Sequence, residues 1–245
     1  MEKSQNIYDN DAFFEGYKKI RENKESANET REKPILFKLL PDLKGKRVLD
    51  LGCGYGEHCR EYKNRGAEYV LGVDLSEKML QVAKEENPDI DFVRADISDL
   101  SFVNEKFDFV CSSLAFHYVE DFEKLMNEIA GVLNDGGYLI FSQEHPITTA
   151  PLKGYSWTKD ENGNVIHYNL ADYMRVGKRK VNWLVDGVVK YHRNMAFIVN
   201  AIAQAGFRIE NAFETMPDGD PMAEENLYHK EFHKPHFLIF KARKD

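Results

Sequence analysis

The stretch VLDLGCGYG, residues 48–56, has the form of a buried strand that runs directly into a glycine-rich turn. A helix-like segment follows the turn, and the next apolar run ends at Asp74. This order places backbone N–H groups and a helix N-terminus against a ligand at the carboxyl end of the strand. The glycines carry no side chain, so a ligand can approach the backbone closely. Because the Asp74 carboxylate can accept hydrogen bonds from both hydroxyls of a ribose, the stretch predicts a nucleoside-cofactor site.

The spacing of the glycines distinguishes one nucleoside cofactor from another. A dinucleotide fingerprint has the form G-x-G-x-x-G, and counted from Gly52 its third glycine would fall on Glu57. The spacing here is G-x-G-x-G, with Asp50 two residues before the first glycine. This pattern resembles motif I of the class I S-adenosylmethionine-dependent methyltransferases, a Rossmann-like family, and the resemblance extends over residues 46–144. It implies S-adenosylmethionine as cofactor, S-adenosylhomocysteine as product, and a glycine loop that cradles the methionine part.

The resemblance also implies which residues contact the cofactor. Asp74 would bind the ribose, Met79 would flank the adenine, Asp96 would accept a hydrogen bond from the adenine amine, and Ile97 would cover the ring. Ser113, just after a strand, would face the methionine end. The complete expected set is Gly52, Cys53, Gly54, Asp74, Leu75, Met79, Asp96, Ile97, Ser113 and Tyr17.

Length and composition limit the possible functions. The chain has 245 residues, a net charge of −8 and three cysteines. It lacks an apolar run long enough to span a bilayer, a signal-peptide pattern, and cysteine spacings typical of zinc sites or disulfides. Without a basic stripe, nucleic-acid binding lacks its main driving force. The sequence therefore predicts a cytoplasmic protein with a small-molecule partner, no nucleic-acid or membrane partner and no metal.

The alternation of apolar strands and amphipathic helices from residue 46 predicts an α/β fold in a single domain, 1–245. We expect a Rossmann-like, mostly parallel sheet of seven strands with helices on both faces; by resemblance, the last strand is antiparallel. Residues 134–137, the sequence NDGG, are expected to end a helix before a strand over 138–142.

Two segments fall outside this alternation. Residues 1–40 predict helices over 11–21 and 29–40, which either form a lid over the site, with Tyr17 and Arg21 facing the pocket, or dock on the domain as an extension. Residues 147–193, after the fifth strand, predict β-hairpins, one with its turn at residues 186–187. The second segment is expected to cover the substrate; the alternative is a flap that mediates homodimerisation.

Methyl transfer is a direct displacement, so the protein must position the acceptor and can also deprotonate it. His117 and His145 both follow strand ends, and we favour His145 slightly as the base, although either can be a packed histidine. Trp157, Tyr191 and Arg193 are the expected substrate residues of the insertion, with Arg193 alternatively an anchor.

The sequence thus predicts a small-molecule methyltransferase. An RNA- or protein-directed enzyme is the alternative, disfavoured by the acidic charge and by the absence of an Asn/Asp-Pro-Pro-aromatic motif after the fourth strand. A non-catalytic protein that retains the cofactor pocket is the third possibility.

Overall fold

The computed structural model describes residues 4–154, 156–216 and 229–245 of the chain. Its strands are β1 (Arg47–Leu51), β2 (Tyr69–Asp74), β3 (Asp91–Arg94), β4 (Phe107–Ser112), β5 (Leu133–Glu144), β6 (Trp157–Lys159), β7 (Val165–Tyr168), β8 (Gly177–Trp183), β9 (Val185–His192), β10 (Phe207–Glu214) and β11 (Phe237–Lys244). Its α-helices are α1 (Asp11–Glu22), α2 (Lys33–Leu39), α3 (Glu57–Asn64), α4 (Glu77–Glu86), α5 (Phe122–Val132), α6 (Pro146–Thr149) and α7 (Met195–Gln204).

Seven of these strands form one sheet in the order β10-β11-β5-β4-β1-β2-β3. β1 is parallel to both β2 and β4, whereas β11 is antiparallel to both β5 and β10. The expected Rossmann-like sheet with its antiparallel last strand is therefore confirmed. The strand order reverses at β1, and in such sheets ligands bind at the carboxyl ends of the strands beside this reversal.

The apolar residues of β1 explain why both faces of the sheet are covered. Val48 packs with Tyr62 of α3 and Leu80 of α4, whereas Leu49 packs with residues of α5 and α7 on the opposite face. Successive side chains of a strand point to opposite faces. A strand that is apolar at consecutive positions is therefore stable only with helices on both sides.

The start of β5 differs from the sequence-based expectation. The preceding helix ends at Val132, and β5 begins at Leu133, which pairs with Phe107. The segment 134–137 belongs to the strand as an irregularity, because the register shifts between Phe107 and Phe109. Gly136 has a φ of 75° there, a left-handed conformation that glycine adopts without strain.

Two further expectations required correction. The predicted helix over 29–40 is divided into a π-helical turn, Asn28–Glu32, and α2. This turn directs Arg31 and Glu32 inward, where Arg31 pairs with Glu231 at 2.8 Å. The β8–β9 hairpin turns at Leu184, with a φ of 61°, rather than at residues 186–187.

Within the described ranges, no helix is both long and apolar enough to cross a membrane. The same ranges contain no group of three or more His, Cys, Asp or Glu residues that could hold a metal ion.

Candidate functional site

A cavity of about 890 Å³ lies at the carboxyl ends of the strands next to the strand-order reversal. The glycine turn after β1 and the ends of β2 and β4 line one part of it. Residues of β8, β9 and the N-terminal segment line the rest. The cavity therefore joins the predicted cofactor loop to the two segments that interrupt the α/β alternation.

The glycine turn needs glycine for two different reasons. Gly52 has a φ of 79°, and a Cβ added to it would collide with the Cβ of Ala115. Gly54 has a φ of 53°, but a Cβ there would meet no protein atom within 4 Å. Gly52 is thus fixed by packing, whereas Gly54 keeps the backbone open to the cavity.

Asp74, the last residue of β2, is held rigidly at the edge of this turn. Its Oδ2 accepts a hydrogen bond from the Gly54 N–H at 2.9 Å, and its Oδ1 accepts one from the Ser76 N–H at 2.8 Å. Burial raises the pKa of Asp74, and these two hydrogen bonds partly oppose that rise. The carboxylate is thus already oriented toward the turn, next to the space where a ribose is expected.

Asp50 supplies a second acidic group beneath the turn. Its Oδ2 accepts a hydrogen bond from the Cys59 thiol at 3.3 Å, whereas its buried Oδ1 has no hydrogen-bond partner among the described residues. Burial raises the Asp50 pKa to about 7. A buried acceptor without a partner is costly, and the ammonium of a methionine moiety is a donor of the kind that would satisfy it. The residues present therefore fit S-adenosylmethionine.

The structure brings all ten predicted cofactor residues to this one cavity. The lining includes Gly52, Cys53, Gly54, Asp74, Leu75, Met79, Asp96, Ile97, Ser113 and Tyr17. Arg21, expected beside Tyr17 on the lid, also lines it and forms an ion pair with Glu57. The individual contacts of these residues with the cofactor remain predictions.

His117 lies on the cavity wall, in a short 3-10 helix, Phe116–Tyr118, that follows β4. Its Nδ1 accepts a long hydrogen bond of 3.4 Å from the Glu144 N–H. Burial lowers the His117 pKa to about 3; Glu144 opposes that effect, and Lys190 and Arg193 add to it. The imidazole is therefore neutral, and with Nδ1 as acceptor its Nε2 carries the proton.

His145 lies elsewhere, contrary to the expectation that the insertion would form a pocket over it. Its Nε2 is 2.9 Å from Oε1 of Glu214, and its Nδ1 accepts from the Ile147 N–H at 3.1 Å, which caps α6. It does not line the cavity. With both ring nitrogens engaged outside the cavity, His145 has the geometry of the packed histidine that was its alternative reading.

None of the three predicted substrate residues lines the cavity. Trp157 packs on Tyr168, with ring centroids 5.0 Å apart, in the separate β6–β7 hairpin. Arg193 is buried and donates hydrogen bonds to the backbone oxygens of Val119 and Glu120. It therefore anchors the insertion, which was the alternative prediction for this residue. Tyr191 follows a cavity-lining residue of β9, and successive strand side chains point to opposite faces.

An ion pair that no sequence motif predicted occupies the far end of the cavity. The ammonium of Lys190, on β9, lies 2.5 Å from the carboxylate of Glu144 at the end of β5. It also lies 4.6 Å from the ring centroid of Trp183. Although burial alone would raise the Glu144 pKa, Lys190 and other neighbours keep it below its ordinary value. Alternation along β9, which puts Lys190 on the same face as Val188, was the only sequence signal for this pair.

Both interrupting segments contact each other above the cavity. The ring of Phe13 on α1 lies 5.3 Å from the Trp183 ring on β8, and Tyr17 lies 6.4 Å from it. The side chain of Gln5 bonds to the Gly187 oxygen at 3.0 Å and the Val189 N–H at 2.8 Å. The N-terminal helix and the β8–β9 hairpin thus form one continuous roof.

Comparison with known proteins agrees with this geometry. A family model described as a methyltransferase domain matches residues 49–141. An S-adenosylmethionine-dependent methyltransferase from Mesorhizobium loti is 39% identical, with a TM-score of 0.80 over 90% of this chain and 99% of that one. A structure from Listeria monocytogenes is 35% identical, with a TM-score of 0.79 over 87% of this chain and 96% of that chain.

The similar sequences include one that matches nearly the whole chain and others that match less than half of it. An uncharacterized protein of Haemophilus influenzae is 43% identical over 97% of this chain and 96% of its own length. A demethylmenaquinone methyltransferase of Renibacterium salmoninarum is 36% identical over 42% of this chain and 43% of its own. A malonyl-[acyl-carrier protein] O-methyltransferase of Enterobacter lignolyticus is 34% identical over 46% of this chain and 44% of its own.

The glycine turn, the two acidic groups beside it and the near full-length match to a solved enzyme of this kind lead to one conclusion: the chain belongs to the S-adenosylmethionine-dependent methyltransferases.

Proposed function

We propose that this enzyme transfers a methyl group from S-adenosylmethionine to a small molecule held beneath the roof formed by α1 and the β8–β9 hairpin. The observation that carries the proposal is the single cavity of about 890 Å³, which extends from the glycine turn to Lys190. Sites for small molecules and cofactors have volumes of about 300–1,000 Å³. A roofed cavity of this size suits a cofactor together with a small acceptor better than it suits an RNA or protein chain.

Two relatives support this choice of acceptor class. The names of the demethylmenaquinone and malonyl-[acyl-carrier protein] enzymes describe methylation of a quinone and of a malonyl group carried on a protein. Their similarity to this chain covers less than half of each protein. They therefore support a small chemical group as the acceptor, without specifying which group it is.

At the cofactor end, we assign the ribose to Asp74, the adenine to Met79, Asp96 and Ile97, and the methionine part to the glycine turn and Asp50. S-adenosylmethionine, when bound, supplies a methyl group that is already activated for displacement. The chain contributes orientation and the exclusion of water, and proximity of this kind can supply several kcal/mol, on the order of 7–11 in favourable cases.

At the acceptor end, His117 and Glu144 are the groups closest in character to an acid–base pair. The neutral His117 ring has its Nε2–H available as a hydrogen-bond donor, so its role is to orient an oxygen or nitrogen of the acceptor. Glu144 remains ionised beside Lys190 and can accept a proton from the acceptor only at the cost of weakening that ion pair. Positioning is thus the main contribution of this chain, and His145 has no part in it.

The decisive experiment follows a radiolabelled methyl group from S-adenosylmethionine into three fractions of a cell extract: small molecules, RNA and protein. We expect the label in the small-molecule fraction, with S-adenosylhomocysteine formed in equal amount. An Asp74→Asn variant, which removes the carboxylate charge at the turn, should lose most of this turnover. Label that enters RNA or protein alone would refute the proposed acceptor class.

A further inference from the structure

The charges on the wall of the cavity are unevenly distributed. Near the cofactor turn, the lining includes Asp50, Asp74 and Asp96, together with Glu57 and its ion-pair partner Arg21. At the opposite end, the charged residues in the described lining come from the end of β5, the segment after α6, β8, β9 and the segment before β11; they are Glu144, Lys153, Arg179, Lys180, Lys190 and Lys234. The described lining of this end therefore carries five basic groups and one carboxylate, in a chain whose net charge is −8.

Two of these basic groups, Lys190 and Lys234, are buried beside the same carboxylate. Lys190 is 2.5 Å from Glu144, and Lys234 donates a hydrogen bond to Oγ1 of Thr148 at 3.2 Å. Both lysines lower the Glu144 pKa, so both lie close enough to act on it. Burial lowers the Lys234 pKa to about 8, although the carboxylates of Glu144 and Glu231 act in the opposite direction.

The histidines of this end do not add positive charge. Burial lowers the pKa of His117 to about 3 and that of His236 to about 4, so both rings are neutral at physiological pH. A neutral imidazole can donate one hydrogen bond to an anion, whereas the Thr148 hydroxyl already donates to the Pro235 oxygen at 2.9 Å. The lysines therefore determine the sign of this end, and the uncharged groups are compatible with it.

At this end of the cavity, two aromatic rings that could bind a cationic acceptor already lie next to a lysine. The usual protein surface for an ammonium ligand is the face of an aromatic ring. The Lys190 ammonium already lies 4.6 Å from the centroid of the Trp183 ring and 5.8 Å from that of Tyr118. An amine would have to displace a buried lysine from these rings and then remain next to Lys234.

From this arrangement we infer that the methyl acceptor is an anion, whose carboxylate or phosphate group binds at the end of the cavity formed by Lys190 and Lys234. The inference rests on the proposed function, since it names the class of small molecule that the same cavity binds. The anionic group fixes the acceptor at this end and leaves the rest of it toward His117 and the cofactor turn. The two lysines come from β9 and from the segment before β11, so both must be in place for binding.

The first test separates a small-molecule extract by anion exchange before the reaction and then supplies labelled S-adenosylmethionine to each fraction. We expect the label in the anionic fraction. Label in the neutral and cationic fraction alone would overturn the inference while leaving the proposed function intact. If only protein or RNA is labelled, the proposed function itself fails, and this inference fails with it.

The second test uses Lys234→Gln, with Lys159→Gln on the exposed surface of β6 as the matched control. Loss of a charge-assisted hydrogen bond should raise the KM for the labelled anionic fraction about ten- to a hundredfold, with kcat and S-adenosylhomocysteine affinity unchanged. Lys159→Gln should change neither constant. Lys234→Arg, which keeps the charge, should stay within about tenfold of the parent protein and provides the test if the glutamine variant does not fold. An unchanged KM in Lys234→Gln would overturn the assignment. So would a KM in Lys234→Arg that is raised as much as in Lys234→Gln.

A binding measurement completes the design without turnover. The anionic fraction should raise the unfolding temperature of the protein saturated with S-adenosylhomocysteine, because a ligand that binds only the folded state stabilises it. The shift should be smaller in Lys234→Gln than in Lys159→Gln. Equal shifts in the two variants would contradict a role for Lys234 in binding the anion.

Discussion

Gly54→Ala isolates the role of the glycine turn, because the structure predicts a small effect on folding and a large effect on the cofactor. A Cβ at Gly54 meets no protein atom within 4 Å, so the substitution creates no clash within the protein. The φ of 53° is left-handed, and a non-glycine residue there costs about 1–2 kcal/mol. Reduced entropy of the unfolded chain offsets about 0.4–1 kcal/mol of this cost. The net destabilisation is about 1 kcal/mol, or a fall of about 2–4 °C in Tm for a protein of this size.

The new methyl group occupies space on the cavity side of the turn, where the backbone must approach the cofactor. We expect S-adenosylhomocysteine affinity, measured by calorimetry, to fall at least about tenfold, which corresponds to about 1.4 kcal/mol. Gly45→Ala is the matched control, because Gly45 has a φ of 69° and equally open surroundings but does not line the cavity. It should lose similar stability and bind normally. Equal affinities in the two variants would refute the argument that the turn at Gly54 is the cofactor contact.

Three further predictions concern the roof, the two histidines and Asp9. Trp183→Ala removes the contact between the two segments of the roof and should raise the KM values for acceptor and cofactor about tenfold, or by about 1.4 kcal/mol each. Trp157→Ala, in the β6–β7 hairpin, should leave both KM values unchanged. Similar losses in the two variants would contradict a role for the roof that the β6–β7 hairpin does not share. His117→Ala should lower kcat, whereas His145→Ala should lower Tm with little change in kcat. Because burial lowers the pKa of both rings, the pH–rate profile of the parent enzyme should show no inflection near pH 6.5 from either histidine. An inflection near pH 6.5 that disappeared in one variant would contradict this and identify that histidine as the base. Although partial burial acts in the opposite direction, hydrogen bonds from Ser76 and neighbouring residues lower the Asp9 pKa below 3.8. The Asp9 carboxylate therefore stabilises the fold above pH 3.8, and this stabilisation is lost as the pH falls through the lowered pKa. The difference in unfolding free energy between Asp9→Asn and the parent should be present at neutral pH and absent in strong acid, and a difference independent of pH would contradict a charge effect.

The cofactor half of the site could be predicted because backbone geometry constrains it. A turn at the end of a buried strand accepts few residue types, and its glycines and the acid at the end of β2 occur at fixed spacings in one continuous stretch. The N-cap of α4 follows an equally local rule, since the Ser76 side chain accepts a hydrogen bond from the Met79 N–H at 3.2 Å. In these places a local rule and the overall fold require the same residue.

His145 shows how a correct strand position led to a wrong expectation. The end of β5 does lie at the edge of the cavity, as the sequence analysis placed it. However, successive residues of a strand point to opposite sides, and Glu144 is the one that faces the cavity. His145 lies just beyond β5, where it caps α6 and is absent from the cavity lining. We favoured His145 because histidine is a common general base, without considering in which direction its side chain would point.

The acceptor half that we propose could not be predicted from the sequence because no single stretch contains it. Glu144, Lys190 and Lys234 belong to three segments, and each reads locally as a charged residue at a surface position. Only the return of the chain through β9 and into β11 brings them together. Burial then changes the energetics of these side chains. An ammonium group that is well hydrated at the surface loses that hydration when it is enclosed, and a bound anion compensates for the loss. A cofactor turn is specified by the conformations that its backbone must adopt, but an acceptor site of this kind is specified by the sum of charges from distant segments. Tests of acceptor chemistry should therefore begin from the enclosed charges, with the aromatic residues of the insertion considered second.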